Sequence, residues 1–378
     1  MRPKVPVYLA LLLLAILLQP LPVAEAGTKP DSLTIKIGQM LMVGFRGTTL
    51  GQSPDVRRAI DRQRIGSVVL FDYDVPSRTP KRNITGPEQL KQLSGELQDR
   101  SPIPLFISID QEGGMVSRLK SARGFPRSPS ARSLGLLRNP DSTLAAAEET
   151  ARTLKLMRIN MNLAPVVDLD TNPQNPVIGR IERSYSPDPS IVTTHASIVT
   201  KTFLREGIIP VLKHFPGHGS STSDSHLGFT DVTESWNEIE LEPYRRLFLD
   251  GYQGAVMTAH VFNAHLDPRY PATLSKPTIS RLLREKLGFR GVVLTDDMQM
   301  GAIAHNFGFE EAIRLSIEAG ADILVFANNT TVYDPKIAEK ASGIIRRMVD
   351  EGIISPLRIE ESYRRIMTLK ETVTNPAR

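Results

Sequence analysis

The chain of 378 residues contains no cysteine. That excludes a disulfide framework and any lipid carried on a cysteine thiol, so an exported form of this protein must be stable through its core alone. The body of the chain has no apolar run long enough to cross a bilayer. No glycine-rich dinucleotide fingerprint opens a candidate helix, and no phosphate-cradling loop ends in Lys-Ser or Lys-Thr. Lys and Arg outnumber Asp and Glu only by 46 to 41, a formal charge of +5. No basic cluster interleaves with aromatics, which argues against nucleic acid and leaves an anionic substrate or envelope open.

What is present begins with a leader. Arg2 and Lys4 precede the apolar run "VYLALLLLAILL", and "AEA" at Ala24 to Ala26 supplies the small residues of a cleavage site. The expectation is a signal peptide over 1–26, with no stable membrane span once it is removed, and an exported protein in the periplasm or outside the cell. "NIT" at Asn83 is a glycosylation sequon by pattern, a triplet common by chance.

After the leader, eight apolar or β-branched runs alternate with longer amphipathic stretches. They are "MLMVGF", "GSVVLF", "PLFISID", "MNLAPVVDLD", "GIIPVLKHF", "GAVMTAHVF", "GVVLTDDM" and "ADILVFA". Intervening segments such as "GPEQLKQLSGELQDR" carry helical spacing, and runs without alternation suit strands buried on both faces. This predicts an α/β fold, a (β/α)8 TIM barrel over 27–378, closed by two C-terminal helices. An open doubly wound sheet has the same local pattern. Polar residues at the ends of five different runs (Asp110, Asp168, Lys213 with His214, His260, and Asp296 with Asp297) favour the barrel, whose chemistry collects at one rim.

Three of the seven histidines crowd into "KHFPGHGSSTSDSH". His214 and His218 have a zinc-like spacing, but Pro216 and Gly217 between them argue against the helix such a pair requires. Asp224 and His226, at i and i+2, would share one face of an extended loop, where a carboxylate can orient an imidazole and raise its pKa. "LTDDM" offers two carboxylates whose side chains alternate, so that one, Asp296 or Asp297, enters the barrel mouth. "SIDQEGGMVSRL" concentrates Asp110, Gln111, Glu112 and Arg118, groups able to grip vicinal hydroxyls, around paired glycines that would let backbone approach a ligand.

Taken in order, "MLMVGFRG", "IDQEGGMVSRL", "LAPVVDLD", "NPVIGRIERSYS", "KHFPGHGSSTSDSH", "MTAHV", "PATLS" and "GVVLTDDMQM" resemble glycoside hydrolase family 3, and within it the single-domain bacterial β-N-acetylglucosaminidases. The resemblance covers nearly all the chain after residue 26. It departs from the family in Met115, where an arginine is frequent, and in a longer "IGRIERSYS" loop. The resemblance implies Asp296 as nucleophile and Asp224 with His226 as acid/base dyad. It implies Asp110, Arg118, Arg183, Lys213 and His214 as the groups holding the sugar and its N-acetyl group, Arg183 being chosen over Arg180, and His218 as a residue that shapes the loop. The implied reaction is retaining exo-hydrolysis of terminal β-linked N-acetylglucosamine without metal or cofactor. The implied substrate is an oligosaccharide, chitin-type fragment or muropeptide from peptidoglycan turnover, and the implied enzyme is a monomer. Transfer of the sugar to phosphate, and a non-catalytic sugar-binding barrel, remain the alternatives.

Overall fold

The computed structural model of the chain describes residues 31–374, so the expected leader lies outside the described residues. All eight runs form strands: β1 (Leu41–Gly44), β2 (Ser67–Leu70), β3 (Phe106–Ile109), β4 (Met161–Asn162), β5 (Ile209–Phe215), β6 (Ala255–Thr258), β7 (Val293–Asp297) and β8 (Ile323–Phe326). They are parallel and each lies beside its neighbours in sequence. Val43 of β1 is in register with Val68 of β2 and with Phe326 of β8, which closes the sheet. A closed cylinder leaves no strand edge to cover, and the open-sheet alternative is excluded.

Helices follow the strands and cover the outside. Pro140–Leu156 and Pro189–Arg205 begin with proline after a polar cap: Asn139 accepts from the Asp141 amide at 3.0 Å and Asp188 from the Ser190 amide at 2.8 Å. Proline there loses no helical hydrogen bond, and the cap satisfies a free amide. Val192, Ala196, Val199 and Phe203 recur at helical spacing and are buried, while Lys201 faces solvent. The chain ends in the two expected helices, Ile337–Asp350 and Pro356–Thr374. The second carries Lys370 under the barrel, where its Nζ donates to Gln39 Oε1 at 2.6 Å and to Gly66 O at 2.9 Å, at the ends where β1 and β2 start. Among the described residues no helix is long and apolar enough to cross a membrane.

Two runs are used differently from their pattern. "MNLAPVVDLD" supplies only two ladder residues, because Pro165 has no amide to donate; pairing resumes as a single bridge between Val166 and Lys213. "GAVMTAHVF" divides, with Val261–Phe262 leaving the barrel to pair with Thr230–Asp231. Asn83 of the sequon is wholly buried. Its side chain accepts from the Phe71 amide and donates to Phe45 O and Gly47 O, so it fastens loops and presents nothing to a glycan.

Candidate active site

The C-terminal ends of the strands surround a cavity of about 470 Å³, within the range of small-ligand sites. Asp110, Arg118, Arg183, Lys213, His214, Asp224, His226 and Asp296 all line it. Residues up to 186 positions apart in sequence thus converge, because every strand delivers its last residues to the same rim.

One wall is an ion network. Lys213 Nζ lies 2.8 Å from Asp110 Oδ1 and 2.6 Å from Glu112 Oε1, and the Arg183 guanidinium forks onto Glu112 at 2.8 and 2.7 Å. Arg118 is 3.6 Å from the other Asp110 oxygen. Burial would raise the carboxyl groups of Asp110 and Glu112, but the lysine and arginine charges outweigh it and hold both below their ordinary values. The cations and anions here are mutually oriented, each fixed by its charged partners. Arg180, by contrast, is exposed beside Gln174, so the alternative to Arg183 points away from the cavity.

The crowded histidines take three different environments. His214 Nδ1 donates to Asp168 Oδ2 at 2.6 Å, and its Nε2 accepts from Arg183 at 3.2 Å. His218 is buried, and burial lowers its pKa to about 4. Its Nδ1 meets Ser221 Oγ at 2.6 Å and its Nε2 meets Ser225 Oγ at 3.1 Å. Because Ser221 spends its own proton on the His218 carbonyl, Nδ1 is the donor and Nε2 accepts from Ser225. The His-x3-His spacing therefore serves hydrogen bonds that shape the loop.

His226 is the exposed member. Its Nδ1 donates to Asp224 Oδ1 at 2.7 Å, and its backbone amide donates to the same oxygen at 2.8 Å. The stretch is a turn, not the extended segment expected, since the Leu227 amide folds back to Asp224 O at 3.0 Å. The pairing survives because an aspartate at the head of a turn accepts from the amide two residues on. Burial by itself would lower the His226 imidazole. The Asp224 hydrogen bond and the charges of Asp296 and Asp224 outweigh it and hold the pKa above the ordinary histidine value.

Asp296 and Asp297 both border the cavity, which corrects the expectation that strand alternation admits only one. The register of β7 against β8 shifts between Leu294 and Asp297, and a bulged strand no longer alternates strictly. Their pKa values are shifted in opposite directions. Burial pushes Asp297 up to about 7, although its Oδ1 accepts from the Ala327 and Gln299 amides at 3.0 and 3.2 Å. Burial also raises Asp296, but the His260, His214 and His226 imidazoles and the Asp297 amide bring it down to about 2. Of the pair, Asp296 is the carboxylate ionised across the whole physiological range.

Several residues outside the expected set organise it. Glu112 stands two positions from Asp110 in a quoted motif, and Asp168 lies near the end of β4's run, so both carried a signal. Asn175 and Glu240 carried none. Asn175 Nδ2 donates to His218 O, Gly219 O and Ser221 Oγ, and Glu240 Oε2 accepts from the Gly219 amide at 3.0 Å. The paired glycines also differ from expectation. Gly113 and Gly114 have φ of +103° and +56° and pack against Pro129 and Ser130, so they make a hairpin turn and a close backbone contact, not a ligand approach. Met115 is exposed at that hairpin's tip.

A model of the glycosyl hydrolase family 3 N-terminal domain matches residues 32–369. Beta-hexosaminidase A of Pseudoalteromonas piscicida is 33% identical over 330 residues, covering 79% of this chain and 54% of that protein. Beta-hexosaminidase LpqI of Mycobacterium tuberculosis is 33% identical over 343 residues, covering 89% of this chain and 82% of the relative. The solved structure of a family 3 beta-N-acetylglucosaminidase from Paenibacillus is similar at a TM-score of 0.83 and 35% identity, over 92% of this chain and 64% of that one. The chain thus spans about half the length of the first of these proteins and under two thirds of the last. With the family model matched along nearly all its described length and the eight-stranded barrel closed, the chain belongs to glycosyl hydrolase family 3.

Proposed function

We propose that the protein is a β-N-acetylhexosaminidase that removes terminal β-linked N-acetylglucosamine with retention of configuration. Asp296 attacks the anomeric carbon, the C–O bond to the leaving group breaks, and His226 passes its proton to the departing oxygen. Water then attacks the glycosyl-enzyme, giving its proton to the now neutral imidazole while Asp296 leaves as carboxylate. Asp224 orients the ring and steadies its cationic form, so one group acts first as acid and then as base. Asp110, Arg118, Arg183, Lys213 and His214 hold the sugar and its N-acetyl group. The observation that carries this reading is that one cavity holds a carboxylate kept ionised together with an imidazole hydrogen-bonded at Nδ1 by its own aspartate, which holds its pKa above the ordinary histidine value. The names of the relatives and the family supply the substrate class.

The natural substrates of this reading are wall-polysaccharide or chitin-type fragments met after export. Phosphorolysis is a second reading, favoured by a single feature: an imidazole repels incoming phosphate less than a carboxylate would in the second step. Paired aryl β-N-acetylglucosaminide and β-glucoside substrates test the proposal, with and without phosphate. Turnover of the first alone, independent of phosphate, is expected, with a fluorosugar trapping on Asp296 and Asp296→Asn abolishing turnover. Labelling at Asp297 would overturn the nucleophile, and equal turnover of the glucoside would overturn the specificity.

A further inference from the structure

The loop that carries Asp224 and His226 is fastened in two places of different character. Its base is buried and tied by side chains: Asn175 to the His218 and Gly219 carbonyls, Glu240 to the Gly219 amide, and the His218 ring to Ser221 and Ser225. The turn at 224–228 is exposed at His226 and Leu227, the latter at 77%, while Ser225 is buried. Among its backbone groups, the carbonyls of Ser225 and His226 reach another barrel loop, and both reach the one after β7. The Gly301 amide donates to His226 O at 3.1 Å and the Ala302 amide to Ser225 O at 3.2 Å.

Residue 301 is glycine where nothing in its own backbone demands one, since it opens the short helix Gly301–Ala304 without a left-handed φ. Space demands it instead. A β-carbon there would stand 2.8 Å from His226 O, Leu227 C and Leu227 O, closer than such atoms come. We propose that Gly301 is a positioning residue for the acid/base: its missing side chain lets the turn after the nucleophile strand grip the backbone of His226 itself. The proposal rests on the reading of His226 as proton donor. The groups on the two sides of the scissile bond are then spaced by direct contact between their own loops, and a displacement of one is felt at the other.

Gly301→Ala separates this from a folding role, because alanine favours the helix that begins there while its methyl group pushes the 224–228 turn away. Gly308→Ala, where an added methyl meets nothing within 4 Å, is the comparator. The measurements are kcat/KM for an alkyl and for a dinitrophenyl β-N-acetylglucosaminide, and amide hydrogen exchange over 224–228. For Gly301→Ala the alkyl substrate should lose roughly tenfold or more and the dinitrophenyl substrate less than about threefold, because only the first requires protonation to depart. Exchange in the turn should accelerate, and Gly308→Ala should match the wild type in all three. Equal losses on both substrates, or wild-type selectivity with wild-type exchange, would overturn the proposal. A wild-type enzyme inert toward both glycosides would remove the catalytic reading and this role with it. A wild-type enzyme active on both leaves that reading standing whatever Gly301→Ala does.

Discussion

At the scale of single residues, the site separates three histidines and two adjacent aspartates by environment alone. His218 is buried without a carboxylate at its ring and titrates low, whereas His226 shares its Nδ1 proton with Asp224 and titrates high. This predicts how the dyad divides its work. His226→Ala should cost about 10²- to 10⁴-fold in kcat/KM on glycosides with poor leaving groups and far less on activated aryl glycosides. Asp224→Ala should be milder and should move the alkaline limb of the kcat/KM profile to lower pH. The sign follows from the first step of the proposed reaction, which would need the imidazolium: removing the carboxylate that raises its pKa lets the proton leave sooner as pH rises. Leaving-group series and pH–rate profiles of the two variants check this. An unshifted limb in Asp224→Ala would mean that the aspartate supports the loop and not the proton. The pairing was legible in "DSH", while its form as a turn was not, since either backbone keeps the two side chains together.

At the scale of elements, the segment from His218 to Ser221 rests on Glu240, in the short 3-10 helix Glu238–Leu241 that precedes the helix Glu242–Leu249. That carboxyl is buried, and burial, with the Asp168 charge beyond it, raises its pKa to about 7 from an ordinary 4.5. A group whose folded pKa is raised contributes stability that is present below its unfolded pKa and lost as pH rises through the folded one. Wild-type stability should therefore fall between about pH 5 and pH 8 through this residue. Glu240→Gln keeps an acceptor for the Gly219 amide and cannot ionise. It should be close to wild type at pH 5 and more stable by roughly 1–3 kcal/mol at pH 9, read by thermal or urea unfolding at both. A constant difference across that range would show that the carboxyl stays neutral or is hydrated. Nothing in the sequence singled out Glu240, because a glutamate in "NEIELEPY" reads as a solvated helix start; only packing against the β5 loop makes it a buried acid.

At the scale of the whole molecule, the barrel's two ends are divided in purpose. Lys370 and Gln39 close the end where strands begin, and the ion network and dyad occupy the end where they finish. If residues 1–26 are cleaved on export, the protein recovered from periplasm or medium should begin at or beside Gly27, as mass analysis of the intact chain would show. A full-length chain that stays with membranes through a high-salt wash would overturn cleavage, while leaving the barrel chemistry untouched.

The fold was legible because parallel barrel strands are buried on both faces and announce themselves as short apolar runs, and because polar residues clustered where those runs end. By itself the sequence determined eight strands, their order, two closing helices and eight residues that meet in one cavity. Tertiary structure decided what depends on partners distant in the chain. Glu112 became the counterion of both Arg183 and Lys213, and Asp168 the support of His214. Asn83 became a buried brace and not a glycan acceptor. The slip in β7 let both aspartates border the site, and Gly301 came to lie under His226. The physical reason is common to all five. Apolar periodicity is written locally, by which face each residue must bury, whereas the charge state and partner of a polar group are set by desolvation and by neighbours that only the closed barrel brings within hydrogen-bonding distance.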